Sequence, residues 1–311
     1  MRGDHVEAQV TNTKGKINIV LKNRQQEMEQ LQHATIKRDI DPFRHIDQEF
    51  AAFIGLEKLK KTIKEIYANV HINQKREAAG LKQEKQVLHM LFEGNPGTGK
   101  TTVARKLAAV FHEMNVLDKG HFIEAERADL VGEYIGHTAQ KTRALVQRAM
   151  GGILFIDEAY SLARGGEKDF GKEAIDTLVK HMEDASNRFI LILAGYPREM
   201  ANFMSLNPGL RSRFPIQLQF PDYKSEQLMD IAKGMLAEKE YQLTKEAEWK
   251  LKEIIVQQKS KRTPDFSNAR FVRNILEKAI RMQAVRLVRH DHHLSTEELM
   301  KVTVADLNAE E

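Results

Sequence analysis

Cysteine is absent from the 311 residues. That excludes a disulfide framework and any thiol nucleophile, and it fits a protein made for a reducing compartment. Long apolar runs are missing as well; nothing approaches the roughly 20 residues that a membrane-spanning helix needs. The opening stretch "MRGDHVEAQV" lacks the apolar segment of a secretory leader. Nor is there a charge excess: 48 Lys and Arg stand against 44 Asp and Glu, a net charge of +4. Such a balance offers no electrostatic footprint for nucleic acid. The 12 histidines are scattered and form no H-E-x-x-H, and "RHDHH" (289–293) reads as a solvated stretch rather than a metal site. No internal repeat is visible. These absences point to a soluble, cytoplasmic protein with neither a membrane nor a nucleic-acid partner. With 41% hydrophobic residues, the chain has ample material for a core.

What is present falls into three parts. Residues 1–44 read as an accessory segment, with a short strand in "KINIVLK" (16–22) and weak helical periodicity in "RQQEMEQLQHATIKRDI" (24–40). Docking of a partner is the other reading of this segment. From residue 45 the pattern becomes regular. In "FIGLEKLKKTIKEIYANVHI" the residues Leu56, Leu59, Ile63, Ile66, Tyr67 and Val70 share one helical face. Strand candidates then alternate with helices: "VLHMLFEG", "HFIEAE", "GGILFIDEA", "RFILILAGY" and "FPIQLQF". The third and fourth are near-continuous apolar runs, as expected of parallel strands buried on both faces. The alternation predicts a three-layer αβα sandwich around a parallel five-stranded sheet over residues 45–222. After "FPDY" the strand signals stop, and residues 223–311 read as a small helical domain.

Two motifs carry chemistry. "GNPGTGKT" (94–101) follows a predicted strand, opens a predicted helix and fits G-x-x-x-x-G-K-[ST] at Gly94, Gly99, Lys100 and Thr101. In this Walker A pattern, glycines let backbone N–H groups curl around phosphates at a helix N-terminus. Lys100 then reaches the β- and γ-phosphates and the Thr101 hydroxyl meets Mg²⁺. The expected nucleotide-binding set is Gly94, Asn95, Pro96, Gly97, Thr98, Gly99, Lys100, Thr101 and Thr102, with ATP and Mg²⁺ as ligands. The second motif, "ILFIDEA" (153–159), runs four apolar residues into Asp157 and Glu158. It places two carboxylates at the C-terminal end of a buried strand, where open α/β sheets bind ligands. Asp157 is expected to hold the metal shell, with Thr101, and Glu158 to polarise the attacking water. These residues together predict an ATP-hydrolysing site.

With the helical domain behind them, these motifs resemble the AAA+ ATPases over about residues 45–290. The run "GNPGTGKTTVAR … ADLVGEYIGHTAQKT … GGILFIDEAYSLARGG … DFGKEAIDTLVKHME … LNPGLRSRFP" is similar to the CbbX-type branch. That branch holds red-type Rubisco activases and sporulation proteins, and the overall likeness leans to the sporulation members. The resemblance implies a homo-oligomeric ring, a hexamer, with each nucleotide at a subunit interface, and a small helical lid at 223–311. It implies a finger arginine in "NPGLRSRF" (207–214), with Arg213 preferred over Arg211 because it lies directly before the strand. Permanent charge and planar donors suit arginine to that task. "SNARFVRN" (267–274) resembles the sensor-2 motif and gives Arg270 a place beside the γ-phosphate. The sensor-1 position has no Asn or Thr, and Tyr196 is the nearby hydroxyl.

The same resemblance gives a use to "ADLVGEYIGHTAQKT" (128–142). Tyr134, Ile135 and Gly136 match the aromatic–hydrophobic–glycine pattern of the first pore loop. Aromatic side chains offer about 150–250 Å² each on few rotatable bonds and so grip a peptide at low entropic cost. The alternative is that Tyr134 tucks under the following helix. The expected function is ATP-driven remodelling of a client protein, a peptide tail being pulled through the pore, in sporulation. A nucleotide-dependent assembly switch is a second reading, and a clamp loader or nucleic-acid motor a third.

Overall fold

The computed structural model describes residues 6–13, 16–23, 43–51, 53–82, 86–134, 136–165, 169–186, 188–261, 266–289 and 294–307, the first two stretches by backbone alone. The chain divides into two compact units, Met1–Gln48 and Glu49–Glu311. The first contains an antiparallel hairpin of β1 (Val6–Thr13) and β2 (Lys16–Asn23), with Val6 opposite Asn23. "KINIVLK" is therefore a strand, and β1 is a partner that sequence reading did not find. Its "VEAQVTNT" is too polar to show a clear apolar alternation. The helical expectation for residues 24–40 lies outside the described residues.

Next come α1 (Arg44–Glu49) and α2 (Glu57–Ala78). The apolar stripe foreseen for α2 is the face it buries: Leu56, Leu59, Ile63 and Ile66 are almost wholly enclosed. The large α/β part then runs β3 (Met90–Gly94), α3 (Lys100–Glu113), β4 (Phe122–Ala125), α4 (Arg127–Leu130), α5 (His137–Ala149), β5 (Ile153–Ile156), a 3₁₀ turn (Ala159–Ala163), α6 (Gly171–Asp184), β6 (Ile190–Gly195), α7 (Pro197–Leu206), α8 (Pro208–Arg211) and β7 (Ile216–Phe220). The five strands β3 to β7 are all parallel, in the order β4-β5-β6-β3-β7. All residues of β5 and β6 are buried, which explains their unbroken apolar runs.

Alternation along each strand splits the core between two faces. Leu91, Leu154, Ile156, Leu191 and Leu193 pack with Leu145 and Val146 of α5, Ile175 and Leu178 of α6, and Phe203 of α7. The opposite-facing residues meet α3, whose Val103, Leu107 and Phe111 are fully buried. This is the expected three-layer sandwich. Because every strand points the same way, the ends of β3, β5 and β6 open on one edge.

The lid follows as α9 (Ser225–Ala237), α10 (Lys245–Ser260), α11 (Asn268–Arg289), α12 (Thr296–Met300) and α13 (Val304–Leu307). Tyr223, Leu228, Leu236, Leu251, Ile255, Val272 and Leu276 form its core. One detail goes beyond an all-helical reading. The pairs β8 (Gln242–Leu243) and β9 (Lys301–Val302) run parallel to each other. Two-residue strands are too short to leave an alternation in sequence.

Candidate functional site

The turn after β3 is shaped by two left-handed residues, Gly97 (φ 69°) and Gly99 (φ 94°). Glycine adopts that conformation without the Cβ penalty. Gly99 then stands at the N-terminus of α3. Lys100 folds back over the turn and donates from Nζ to the carbonyls of Gly94 (2.7 Å) and Asn95 (3.0 Å). Burial pushes its ammonium below the ordinary lysine value, and Asp157 acts against that shift. Gly94, Asn95 and Thr98 do not line the cavity that the turn encloses; Gly94 takes part through its carbonyl, and the side chains of Asn95 and Thr98 brace the turn. The buried Thr98 hydroxyl donates to Asn95 C=O at 2.7 Å, and Asn95 Nδ2 donates to both Asp222 carboxylate oxygens at 3.0 Å.

The cavity measures about 720 Å³ and is lined by Pro96, Gly97, Gly99, Lys100, Thr101 and Thr102 on the loop side. That size is within the roughly 300–1,000 Å³ of small-molecule sites. Asp157, Glu158, Tyr160 and Tyr196 line it from the ends of β5 and β6. Glu158 is itself left-handed (φ 46°), and its N–H donates to Asp157 Oδ1 at 2.9 Å. A non-glycine residue in that region is strained, and such strain collects at functional sites. Tyr160 stacks on Tyr196 with 5.8 Å between ring centroids, and Lys100 Nζ lies 6.0 Å from the Tyr196 centroid. Burial, with the nearby Glu158 carboxylate, raises the Tyr160 hydroxyl above the usual tyrosine value, so it stays a neutral donor.

The lid closes the other wall with Asp230, Ile231, Met235, Glu238, Arg270 and Arg273. Its attachment is direct. Asn268, fully buried and left-handed (φ 44°), donates from Nδ2 to Pro96 C=O (3.3 Å) and Asp222 Oδ1 (2.7 Å), and its Oδ1 accepts Tyr223 N–H (3.0 Å). Ala269 N–H donates to Gly97 C=O at 3.1 Å, and the Tyr223 hydroxyl to Thr98 C=O at 3.0 Å. The phosphate-loop candidate and the first turn of α11 are thus hydrogen-bonded to each other, which positions Arg270.

These residues fit a nucleoside triphosphate with a divalent cation. A partly buried ammonium stands opposite two carboxylates, Thr101 offers a hydroxyl on the same wall, and two lid arginines face them.

Arg211 and Arg213 are not in this cavity. Arg211 is exposed on α8. The Arg213 guanidinium is clasped by the Glu183 carboxylate and the Gly209 carbonyl, and its Nε is buried with no hydrogen-bond partner among the described residues. Neither arginine lines the cavity that holds Lys100, Asp157 and Glu158.

The loop with Tyr134 is built as a staked tip. Thr138 accepts Gly132 N–H at 2.9 Å, Thr142 donates to Leu130 C=O at 3.2 Å, and Lys141 donates to Val131 C=O at 3.2 Å. Beyond those stakes Tyr134 is 66% exposed, and its ring lies edge-on to that of His137 with 5.4 Å between centroids. It is not tucked under α5. Gly136 is left-handed at the start of α5, and Ile135 lies outside the described residues.

Sequence reading missed Arg273, Asn268 and Asp222. Arg273 had a signal, since it follows Arg270 at i+3 and shares its helical face. Asn268 and Asp222 had none, because their importance comes from partners far along the chain.

The comparisons with known proteins agree with this geometry. Residues 90–222 match the family model "ATPase family associated with various cellular activities (AAA)", and residues 224–311 match the AAA lid domain. The chain is 60% identical to stage V sporulation protein K of Bacillus subtilis (strain 168), over 96% of this chain and 95% of that protein. It is 48% identical to protein CbbX of Cereibacter sphaeroides, over 75% of each. The crystal structure of the FIGL-1 AAA domain in complex with ADP shares the fold, with a TM-score of 0.56 at 23% identity, covering 83% of this chain and 81% of that one.

Proposed function

This chain belongs to the AAA ATPases, in the branch that holds stage V sporulation protein K and CbbX, and we propose that it couples ATP hydrolysis to the remodelling of a client protein in sporulation. The observation that carries the proposal is Tyr134: a large aromatic, 66% exposed at the tip of a loop whose base is pinned on both sides. A bare tyrosine held out so firmly suits a grip on an extended peptide tail in the pore of a homo-oligomeric ring, a hexamer. Ile135 would add to that grip, and Gly136 would let the tip move.

In this reading Lys100 and the loop 94–102 hold the triphosphate. Thr101 and Asp157 would hold Mg²⁺, which when bound screens the phosphate charges and orients the terminal phosphoryl group. Glu158 orients and deprotonates water, and its strained backbone fixes the carboxylate beside Asp157. Arg270, with Arg273, lets the lid sense the terminal phosphate. Arg213 serves the neighbouring subunit; its release from Glu183 would give a preorganised charge, worth on the order of 10³–10⁵ in rate where such fingers have been measured. Residues 45–222 form the motor, 223–311 its lid and 1–44 an accessory segment, working in the cytoplasm where ATP is supplied. Among the described residues no helix is long and apolar enough to cross a membrane.

Three variants test the proposal together. Lys100→Ala should lose ATP binding. Glu158→Gln should bind ATP, stop hydrolysing and retain the client for capture. Tyr134→Ala should hydrolyse ATP and fail to remodel the client so captured. Full remodelling by Tyr134→Ala would refute threading.

A further inference from the structure

If a grip at Tyr134 is to follow the nucleotide, the end of β5 must be mechanically joined to the loop that carries it. The structure shows a polar knot in that place. Ser161 N–H donates to Glu158 C=O at 2.7 Å. The Ser161 carbonyl in turn accepts Arg127 Nη1 at 2.7 Å. Arg127 opens α4, the helix that leads into the Tyr134 loop. Its other arm, Nη2, donates to Asp169 Oδ1 at 2.5 Å. Asp169 also accepts Gly171 N–H at 3.2 Å and, through its second oxygen, Gly165 N–H at 3.0 Å.

The Asp169 side chain is only 10% exposed, and the hydrogen bond from Arg127 holds its carboxyl below the usual range. A lone surface ion pair would contribute little. Here the planar fork of one guanidinium spans a backbone carbonyl and a carboxylate, and the carboxylate closes two backbone amides. The turn after Glu158 therefore cannot shift without carrying α4 or breaking the fork. From α4 the movement has a defined exit, since Leu130, Val131 and Gly132 are each bonded to α5 side chains just before the tip. Arg127, Ser161 and Asp169 all lie outside the nucleotide cavity.

We propose that Arg127 and Asp169 are positioning residues that transmit the state of the Asp157–Glu158 end of β5 to the Tyr134 loop, taking no direct part in nucleotide binding or cleavage. The proposal rests on the reading of that loop as the client grip.

The sole tryptophan makes a direct test possible. Trp249 is 77% exposed on the lid, so Trp249→Phe leaves a dark background, and Tyr134→Trp then reports on the loop tip. Emission of the full-length reporter protein is compared in Mg·ADP and Mg·ATPγS. It should differ between the two. With Arg127→Leu or Asp169→Asn added, the difference should vanish while affinity for each nucleotide stays within about threefold of the reporter's own. Arg127→Lys, which keeps the charge without the fork, should restore part of it. Asp169→Asn preserves size and shape and covers the case in which Arg127→Leu fails to fold. An undiminished difference in Asp169→Asn would overturn the proposal, as would equal emission in both nucleotides for the reporter itself. A loss of affinity beyond about tenfold in Asp169→Asn would also overturn it, by placing the pair in the binding site. A reporter that binds neither nucleotide would sink the proposed function and this inference with it.

Discussion

Replacing Gly97 with alanine should loosen the lid from the phosphate loop and weaken ATP binding. At Gly97 an added Cβ would come within 2.1 Å of Ser267 C=O and 2.8 Å of Arg270 N–H. Both are backbone atoms at the start of α11, so no side-chain rotation can relieve the clash. The left-handed backbone adds about 1–2 kcal/mol for a residue with a Cβ. Moving α11 away removes the Ala269 N–H bond to Gly97 C=O, seen at 3.1 Å, a further loss of about 0.5–1.5 kcal/mol. The first cost is present with or without nucleotide and lowers stability alone; the lost contact, about 0.5–1.5 kcal/mol, is the part that bears on binding. Where the nucleotide-bound form needs the closed contact, that loss appears in the dissociation constant as a rise of about 2- to 12-fold. Gly80 supplies the control. It is also left-handed (φ 71°), but a Cβ there would meet nothing within 4 Å. Gly80→Ala should therefore lose stability alone and bind ATP like the parent. Calorimetric titration of the full chain with Mg·ATP measures both. If Gly97→Ala and Gly80→Ala bind equally well, the lid contact does not hold the site together.

Two further predictions concern other parts of the molecule. Arg213→Ala should abolish hydrolysis in uniform assemblies, yet mixing it with Lys100→Ala protein should restore turnover, because each subunit then supplies what the other lacks; no recovery would remove Arg213 from the neighbour's site. Asp306 is 2% exposed and accepts Arg286 Nε and Nη2 at 2.8 and 2.9 Å, together with Thr303 N–H at 2.8 Å. Burial alone would raise its pKa, but Arg286 and Thr303 prevail and leave the carboxyl below its ordinary 3.8. A depressed folded-state pKa stabilises the lid above the unfolded value, and that contribution is lost as pH falls through the folded value. Asp306→Asn should therefore cost about 2 kcal/mol near neutral pH and flatten the stability curve below about pH 4. Denaturant unfolding across that range checks it, and a curve matching the parent's would refute it.

The strands and helices of the α/β part, the lid's helices and the glycine-rich loop at 94–102 are all legible in the residues alone. These are local matters. A parallel strand buried on both faces must be apolar throughout, a phosphate cradle must be glycine-rich where backbone approaches the ligand, and both requirements fall within a few consecutive residues. Tyr134 was legible for the same reason, as an aromatic isolated between Gly132 and Gly136. What those pieces meet emerges in the folded chain. Asn268 bridges Pro96 and Asp222, Arg127 forks between Ser161 and Asp169, and Arg213 is clasped by Glu183 outside the cavity. The strand order β4-β5-β6-β3-β7 brings the ends of non-consecutive segments to one edge. Periodicity tells which face of a strand or helix is covered, but not which residue covers it. That choice is made by the packing of the whole chain.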